Sequence, residues 1–432
     1  MNIDLRVGDS LEVLKDLPEN SVDSVVTDPP YGLSFMGAKW DYDVPTVELW
    51  QQVYRVLKPG GHLLSFAGTR TQHRMAVNIE DAGFEIRDMI SWIYGSGFPK
   101  SHNIGKSVDK KLGNTREAVG INKNVRGSDV QKGTIFQGGF AEDGNITKGT
   151  TDWEGYGTAL KPACEPITVA RKPLSEKTIA DNVIKYGTGG INIDGCRVDS
   201  IDENRRTSAG FAANSEIYHN NEKYKINTFE TTEPQGRFPA NVIFDEEAGK
   251  QLDEQSGTGK SGKWKGVGIT DSNIYGNPAI SSEFNTVRGY EDTGGASRFF
   301  YCPKASKTDR NEGLDDFEVK TTAHGTFDKC GKCGKYLKGQ LACKCEEPDR
   351  IHISSKNNHP TVKPTKLMQY LVRLVTPKGG TVLDPFNGSG STGKACALEG
   401  FNYIGIDLDS DYIEISKARI ETVMPKESKW FK

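Results

Sequence analysis

The sequence predicts an α/β fold in which a parallel β-sheet is covered by helices on both faces. Two observations carry this. The first hundred residues alternate strand-type runs with helix-type runs, the rhythm of strands joined by helical crossovers. Near the other end, residues 380–421 run as strand, glycine loop, helix, strand ending in an acid, and helix.

Taken in order, "IDLRV" is a strand and "SLEVLKDL" a short helix opened by Ser10. "VDSVVT" is a buried strand that ends at Asp28. "PTVELWQQVYRVLKPGG" is an amphipathic helix stopped by Pro59 and two glycines. "HLLSFA" is a strand, "RTQHRMAVNIEDAG" a helix ending at Gly83, and "FEIRDMISWIY" a further strand. Residues 113–158 are rich in Gly, Asn, Thr and Lys and lose periodicity. "ACEPITVARK" returns as a strand, followed by a helix near "EKTIADNVIKYG". Residues 197–296 are polar again, "SRFFYC" reads as one more strand, and "PTKLMQYLVRLVTP" as a helix. The expected organisation is one α/β domain in two halves, 1–112 and 351–432. Between them lie a large polar insertion, 113–300, of which about 160–196 returns to the core, and a connector, 301–350.

With 26% charged residues, the chain has no apolar run near the roughly 20 residues that a membrane helix needs. The opening "MNIDLRVGDS" lacks the basic start and apolar core of a secretory leader, so a cytoplasmic, reducing setting is expected. There, clustered cysteines point to metal before disulfides. A net charge of −3 requires any nucleic-acid contact to rest on local basic stretches.

The stretch "VLDPFNGSGSTGKAC" poses the central question. Gly388 to Lys394 match G-x-x-x-x-G-K, but Ala395 stands where a triphosphate loop needs Ser or Thr for magnesium. Asp384 precedes the glycines and would repel a triphosphate while suiting an amine-bearing ligand. The next strand, "NYIGID", ends in Asp407, where an acid in a βαβ unit grips a ribose hydroxyl. Acid, glycine turn and ribose acid together fit S-adenosylmethionine, and the glycines permit close backbone approach. Taken alone, the unit also accommodates a dinucleotide or a purely structural turn. A second motif, "VVTDPPYG", delivers Asp28 from a strand into a turn stiffened by Pro29 and Pro30, with Tyr31 as an aromatic face. One carboxylate, rigid carbonyls and one ring make a receptor for a planar amine.

With both motifs in hand, the chain resembles the beta-class DNA amino-methyltransferases, the adenine-N6 or cytosine-N4 type, in which D-P-P-Y comes before the cofactor loop. "HPTVKP", His359 to Pro364, resembles the motif just upstream of that loop, and "SWIYGSGFPKSHN", "LKPACEPITVARKPL", "GTGGINIDGCRV", "GRFPANVI" and "SRFFYCPKASKTDR" resemble shorter segments. The resemblance implies a circularly permuted, Rossmann-like sheet that binds S-adenosyl-L-methionine. Asp9, Asp384, Phe386, Gly388, Ser389, Gly390 and Asp407 would form the cofactor pocket, with Asp9 contacting the cofactor's adenine amine. Phe386 serves equally well as core packing. Asp28, Pro29, Pro30 and Tyr31 would form the catalytic turn, acting on a base flipped out of double-stranded DNA. An Asp at the first motif position favours adenine over cytosine in this family. Cytosine-N4 methylation, a protein or RNA methyltransferase, and an inactive DNA-binding relative are the competing readings.

Two further features have no counterpart in those motifs. From Lys100 to Lys132 there are eight Lys or Arg against three acids, and Lys260, Lys263 and Lys265 surround Trp264. Both stretches could follow a phosphate backbone, with Trp264 for stacking, or be solvated surface loops. Cys330, Cys333, Cys343 and Cys345 have the spacing of a zinc-ribbon-like module able to hold a structural zinc. Cys164, Cys196, Cys302 and Cys396 read as packed thiols.

Overall fold

The computed structural model describes residues 1–33, 41–97, 101–121, 145–198, 216–219, 222–225, 236–261, 264–265, 287–288, 292–303, 309–315, 317, 327–330, 350–353, 357, 359 and 361–424. Its centre is an eight-stranded sheet. The strands are β1 (Ile3–Val7), β2 (Val22–Thr27), β3 (Leu57–Phe66), β4 (Glu85–Ile93), β5 (Cys164–Arg171), β6 (Val242–Phe244), β7 (Thr381–Asp384) and β8 (Asn402–Asp407). They lie in the order β1–β8–β7–β2–β3–β5–β4–β6. The two C-terminal strands therefore insert between the first two. β8 pairs with β1 through Ile3 and Tyr403, and β7 pairs with β2 through Leu383 and Val25. The permuted sheet is present as expected.

Side chains alternate across a strand, and here both faces are apolar. Val26, Leu64, Val382 and Val169 join one core with α7 (Thr365–Val375), α8 (Ser391–Glu399) and α9 (Ser410–Glu421). Val25, Leu63, Leu383 and Ala170 join the other with α1 (Ser10–Lys15), α2 (Val47–Val56) and α3 (Gln72–Asp81). This is why "VDSVVT" is buried at every position.

Four local readings change. The strand β5 runs antiparallel to both neighbours, because the chain leaves β4 and re-enters from the same edge. The excursion between them, at the carboxyl edge, carries α4 (Ile104–Leu112) and a hairpin of residues 117–121 and 145–148. The helix α2 ends at Val56, and "KPGG" opens β3 instead of stopping a helix. There the β2 register shifts between Val22 and Ser24, and Pro59 offers its carbonyl to Asn182 and Thr188. Pro and Gly thus mark a bulge, a signal that sequence cannot separate from a helix stop. The helix α1 is capped by Asp9, whose carboxylate accepts from the Leu11 and Glu12 amides, and Ser10 lies inside it. Finally, "SRFFYC" forms a 3-10 turn at Ala296–Phe299 and one bridge from Tyr301 to Ile243. Phe299 lies against the guanidinium groups of Arg237 and Arg298.

A candidate active site at the carboxyl edge of the sheet

Neighbouring parallel strands place the two sequence motifs side by side. Asp28 follows β2 and Asp384 ends β7, and the Thr27 hydroxyl donates to Asp384 at 2.6 Å. The Thr392 hydroxyl at 2.6 Å and the Phe386 amide at 3.1 Å complete the shell of Asp384, which is 2% exposed. Burial pushes this carboxyl up to about 6 against the pull of those three donors. Asp384 thus ties β2, β7 and the start of α8 together.

The glycine loop has the shape its sequence requires. Gly388 and Gly390 take φ values of +51° and +76°. A side-chain carbon at Gly388 would run into the His359 ring, and one at Gly390 into Ser416. Burial lowers His359 to about 4, so a neutral ring stands against the loop. The Ser389 hydroxyl is turned inward, 3.1 Å from the Arg419 guanidinium, which leaves only its backbone for a ligand. Phe386 is half-buried and packs on the α1–α3 side of the sheet. Lys394 answers the phosphate question. Its ammonium donates to Asp309 at 2.9 Å and Glu312 at 2.8 Å, and the residue is 3% exposed. A lysine held between two carboxylates inside the protein is no phosphate grip, and the triphosphate reading falls.

Across the loop, Asp407 accepts the Gly388 amide at 2.7 Å on one oxygen and the Asp409 amide at 3.0 Å on the other. Each oxygen keeps a further lone pair, enough for a ribose diol. Asp9 stands exposed at the carboxyl end of β1, with one oxygen occupied as the α1 cap. The backbone cradle at Gly388 and Gly390, Asp407 beside it and Lys394 turned away to Asp309 and Glu312 fit S-adenosyl-L-methionine. Asp407, Asp9, Phe386 and the loop backbone are the groups that could hold it.

The Asp-Pro-Pro-Tyr turn is held from three sides. Asp41 accepts the amides of Tyr31 at 2.6 Å, Gly32 at 2.9 Å and Leu33 at 3.2 Å, and the Thr71 hydroxyl donates to the Tyr31 carbonyl at 2.6 Å. Pro29 is buried and Pro30 half-buried. The side chains form an ionic cluster. The Lys363 ammonium donates to Asp28 at 2.5 Å, and the Tyr31 hydroxyl lies 2.7 Å from Asp28 and 2.9 Å from Glu165. Burial pulls the Lys363 ammonium down, but Asp28 and Glu165 outweigh it and leave it raised. Burial, Asp28 and Glu165 push the Tyr31 phenol well above its ordinary value.

Sequence reading assigned Lys363 and Glu165 no role. Lys363 lies within "HPTVKP" and Glu165 within "LKPACEPITVARKPL", both stretches with a family resemblance, but neither stretch says which of its side chains faces the site. Of the four clustered cysteines, Cys330 is described only by its backbone, in the hairpin of 327–330 and 350–353. Cys333, Cys343 and Cys345 lie outside the described residues. Among the described residues no group of His, Cys, Asp or Glu could hold a metal ion. Cys196 and Cys396 are buried thiols, and Cys164 and Cys302 are half-buried. Lys100, residues 122–132 and Lys263 lie outside the described residues, and Trp264 and Lys265 are described by backbone alone. No described helix is long and apolar enough to cross a membrane.

A family model described as DNA methylase, of the N6/N4 type, matches residues 22–418. The type II methyltransferase M2.MboI of Moraxella bovis is 41% identical over 71 residues, 16% of this chain and 26% of that protein. The type II methyltransferase M.HindIII of Haemophilus influenzae is 24% identical over 228 residues, 43% of this chain and 63% of that protein. The matched parts thus span less than two thirds of either relative. The solved PvuII DNA methyltransferase, described as cytosine-N4-specific, is 14% identical with a TM-score of 0.42, covering 100% of this chain and 89% of that one. With the Asp-Pro-Pro-Tyr turn and the glycine loop both inside the matched span and meeting on adjacent strands, the chain belongs to the N6/N4 DNA methylase family.

Proposed function

We propose that the protein transfers the methyl group of S-adenosyl-L-methionine to the exocyclic N6 amine of adenine in double-stranded DNA. The observation that carries this is the placement of the half-buried Asp28 carboxylate beside the strand that leads into the Gly388–Gly390 cradle. The cofactor supplies an electrophilic methyl on a sulfonium. The protein's task is the amine, whose lone pair is delocalised into the purine ring. Asp28 and the Pro29 carbonyl accept the two amine hydrogens and favour a pyramidal nitrogen, which frees the lone pair for in-line attack. Held in this way, the amine nitrogen would accept the methyl group that the cofactor would supply and give up one proton to water. No covalent enzyme intermediate is needed. The base has to leave the duplex to reach this edge. Asp at position 28, by its resemblance to the adenine-type motif, supports adenine over cytosine.

Plasmid DNA from cells expressing the protein, read by long-read sequencing, tests this. N6-methyladenine at one recurring sequence is the expected result. N4-methylcytosine would move the target to cytosine, and unmodified DNA alongside intact S-adenosylmethionine binding would refute the activity.

Asp407→Ala should weaken cofactor binding by about 1–3 kcal/mol, the worth of a hydrogen bond to a charged group. Calorimetry with S-adenosylmethionine measures it, and unchanged affinity would remove Asp407 from the pocket. ATP with magnesium should not compete, because Lys394 is held by Asp309 and Glu312.

The reading also keeps a structural zinc at Cys330, Cys333, Cys343 and Cys345, since four thiolates complete a tetrahedral shell and leave no position for water. Elemental analysis of protein purified without chelator or histidine tag should find about one zinc per chain. Replacing Cys330 and Cys333 by Ser should release it. Metal-free protein of full stability would show that these thiols bind none.

A further inference from the structure

We propose that Glu165 is a positioning residue of this site: it shares the Lys363 ammonium and the Tyr31 hydroxyl with Asp28, and so keeps an Asp28 oxygen available to the target amine. The inference rests on the proposed methyl transfer. It begins with proton counting. The Tyr31 hydroxyl carries one hydrogen and has two carboxylates in reach, Asp28 at 2.7 Å and Glu165 at 2.9 Å. The Lys363 ammonium likewise has two, at 2.5 Å and 3.3 Å, and touches the Tyr31 oxygen at 3.2 Å. Without Glu165, Tyr31 would bond one oxygen of Asp28 and Lys363 the other. The carboxylate would then be closed from both sides in a neutral buried pair. With Glu165, either donor can turn away from Asp28 without losing a partner.

Charge gives a second reason. One ammonium against two carboxylates leaves a surplus of one negative charge, in a place where charge is poorly screened. The Lys363 ammonium lies 5.0 Å from the Phe66 ring centre and 5.4 Å from that of Tyr31, and its side chain is 8% exposed. Trp92 stands directly opposite Glu165 on β4, tilted against Tyr94. The amine gains positive charge as the methyl arrives, so a net-negative cluster favours the transition state over the ground state.

Topology explains how a strand residue comes to serve here. The antiparallel run of β5 brings its first residues, Cys164 and Glu165, to the edge where the parallel strands end. A parallel strand in that slot would present its last residues instead.

The test is Glu165→Gln, nearly the same shape without the charge, with Glu165→Asp as a second variant that withdraws the carboxylate by one methylene. For Glu165→Gln, kcat should fall by about 10²-fold, the cost of misplacing a reacting group. The KM for DNA and the calorimetric affinity for S-adenosylmethionine should stay at wild-type values. Glu165→Asp should fall between the two. A second readout does not depend on turnover: 3-fluorotyrosine placed at position 31 and followed by 19F NMR should titrate at lower pH in Glu165→Gln than with Glu165 present. Wild-type kcat in the Gln variant, or a rise in KM and a fall in cofactor affinity in place of a lower kcat, would overturn the assignment. So would an unmoved phenol titration. If the unsubstituted protein transfers no methyl to DNA, the proposed function fails, and the fluorine titration still decides whether Glu165 holds Tyr31.

Discussion

Asp28→Ala is expected to lower methyl transfer by about 10³-fold while S-adenosylmethionine binding stays intact. Removing one preorganised group aimed at the reacting centre costs about 10²–10³-fold in other enzymes. Here the loss also strips Lys363 of its shorter ion pair, leaving the ammonium aimed at an empty position. The cofactor cradle keeps its hydrogen bonds, because Gly388 is held by Asp407 and Asp384 by Thr27 and Thr392, and none of these bonds is made by the Asp28 carboxylate. A tritium-transfer assay and calorimetry on the same preparation separate the two properties. Substantial transfer by the variant would end the assignment of Asp28 to the amine. Parallel loss of cofactor affinity would make it part of the cofactor pocket.

Arg419→Ala should be the most damaging single change to stability, at about 3–5 kcal/mol, the usual cost of breaking a buried ion pair from one side. Arg419 is fully buried. It donates to the Ser389 carbonyl at 2.5 Å, the Ser389 hydroxyl at 3.1 Å and the Asp309 carbonyl at 3.1 Å. Its substitution leaves those acceptors without a donor in the core. Asp309 keeps Lys394 and Thr365, which sets the loss at this level and not higher. The same guanidinium braces the loop from beneath, so cofactor affinity should fall together with the urea midpoint. An unchanged midpoint would mean that the Arg419 contacts add nothing to folding. Lys394→Met, at the neighbouring position of the same network, should destabilise less, because Arg419 remains close to the Asp309 carboxylate at 3.4 Å.

The sequence alone determined what depends on neighbours along the chain. The apolar runs of β2 and β3 and the glycines at 388 and 390 follow from local sterics and periodicity, so strands, helices and the cradle were readable. The permuted sheet was readable only through the family resemblance that the order of Asp-Pro-Pro-Tyr before the glycine loop carries. Local signals also misled where one residue type serves two turns: Pro59 and Gly60 mark a β-bulge as well as they mark a helix stop.

Only the tertiary structure decided what each charged group faces. Lys394 sits in a phosphate-loop pattern but is claimed by Asp309 and Glu312. Asp384 looked outward in sequence and is enclosed by Thr27 and Thr392. Glu165 entered the site because β5 runs backwards, and Lys363 meets Asp28 across 335 positions of chain. A side chain's capacity to bond is a property of its type. Its partner is set by which distant segments the sheet brings within 3 Å, and no window of sequence contains both.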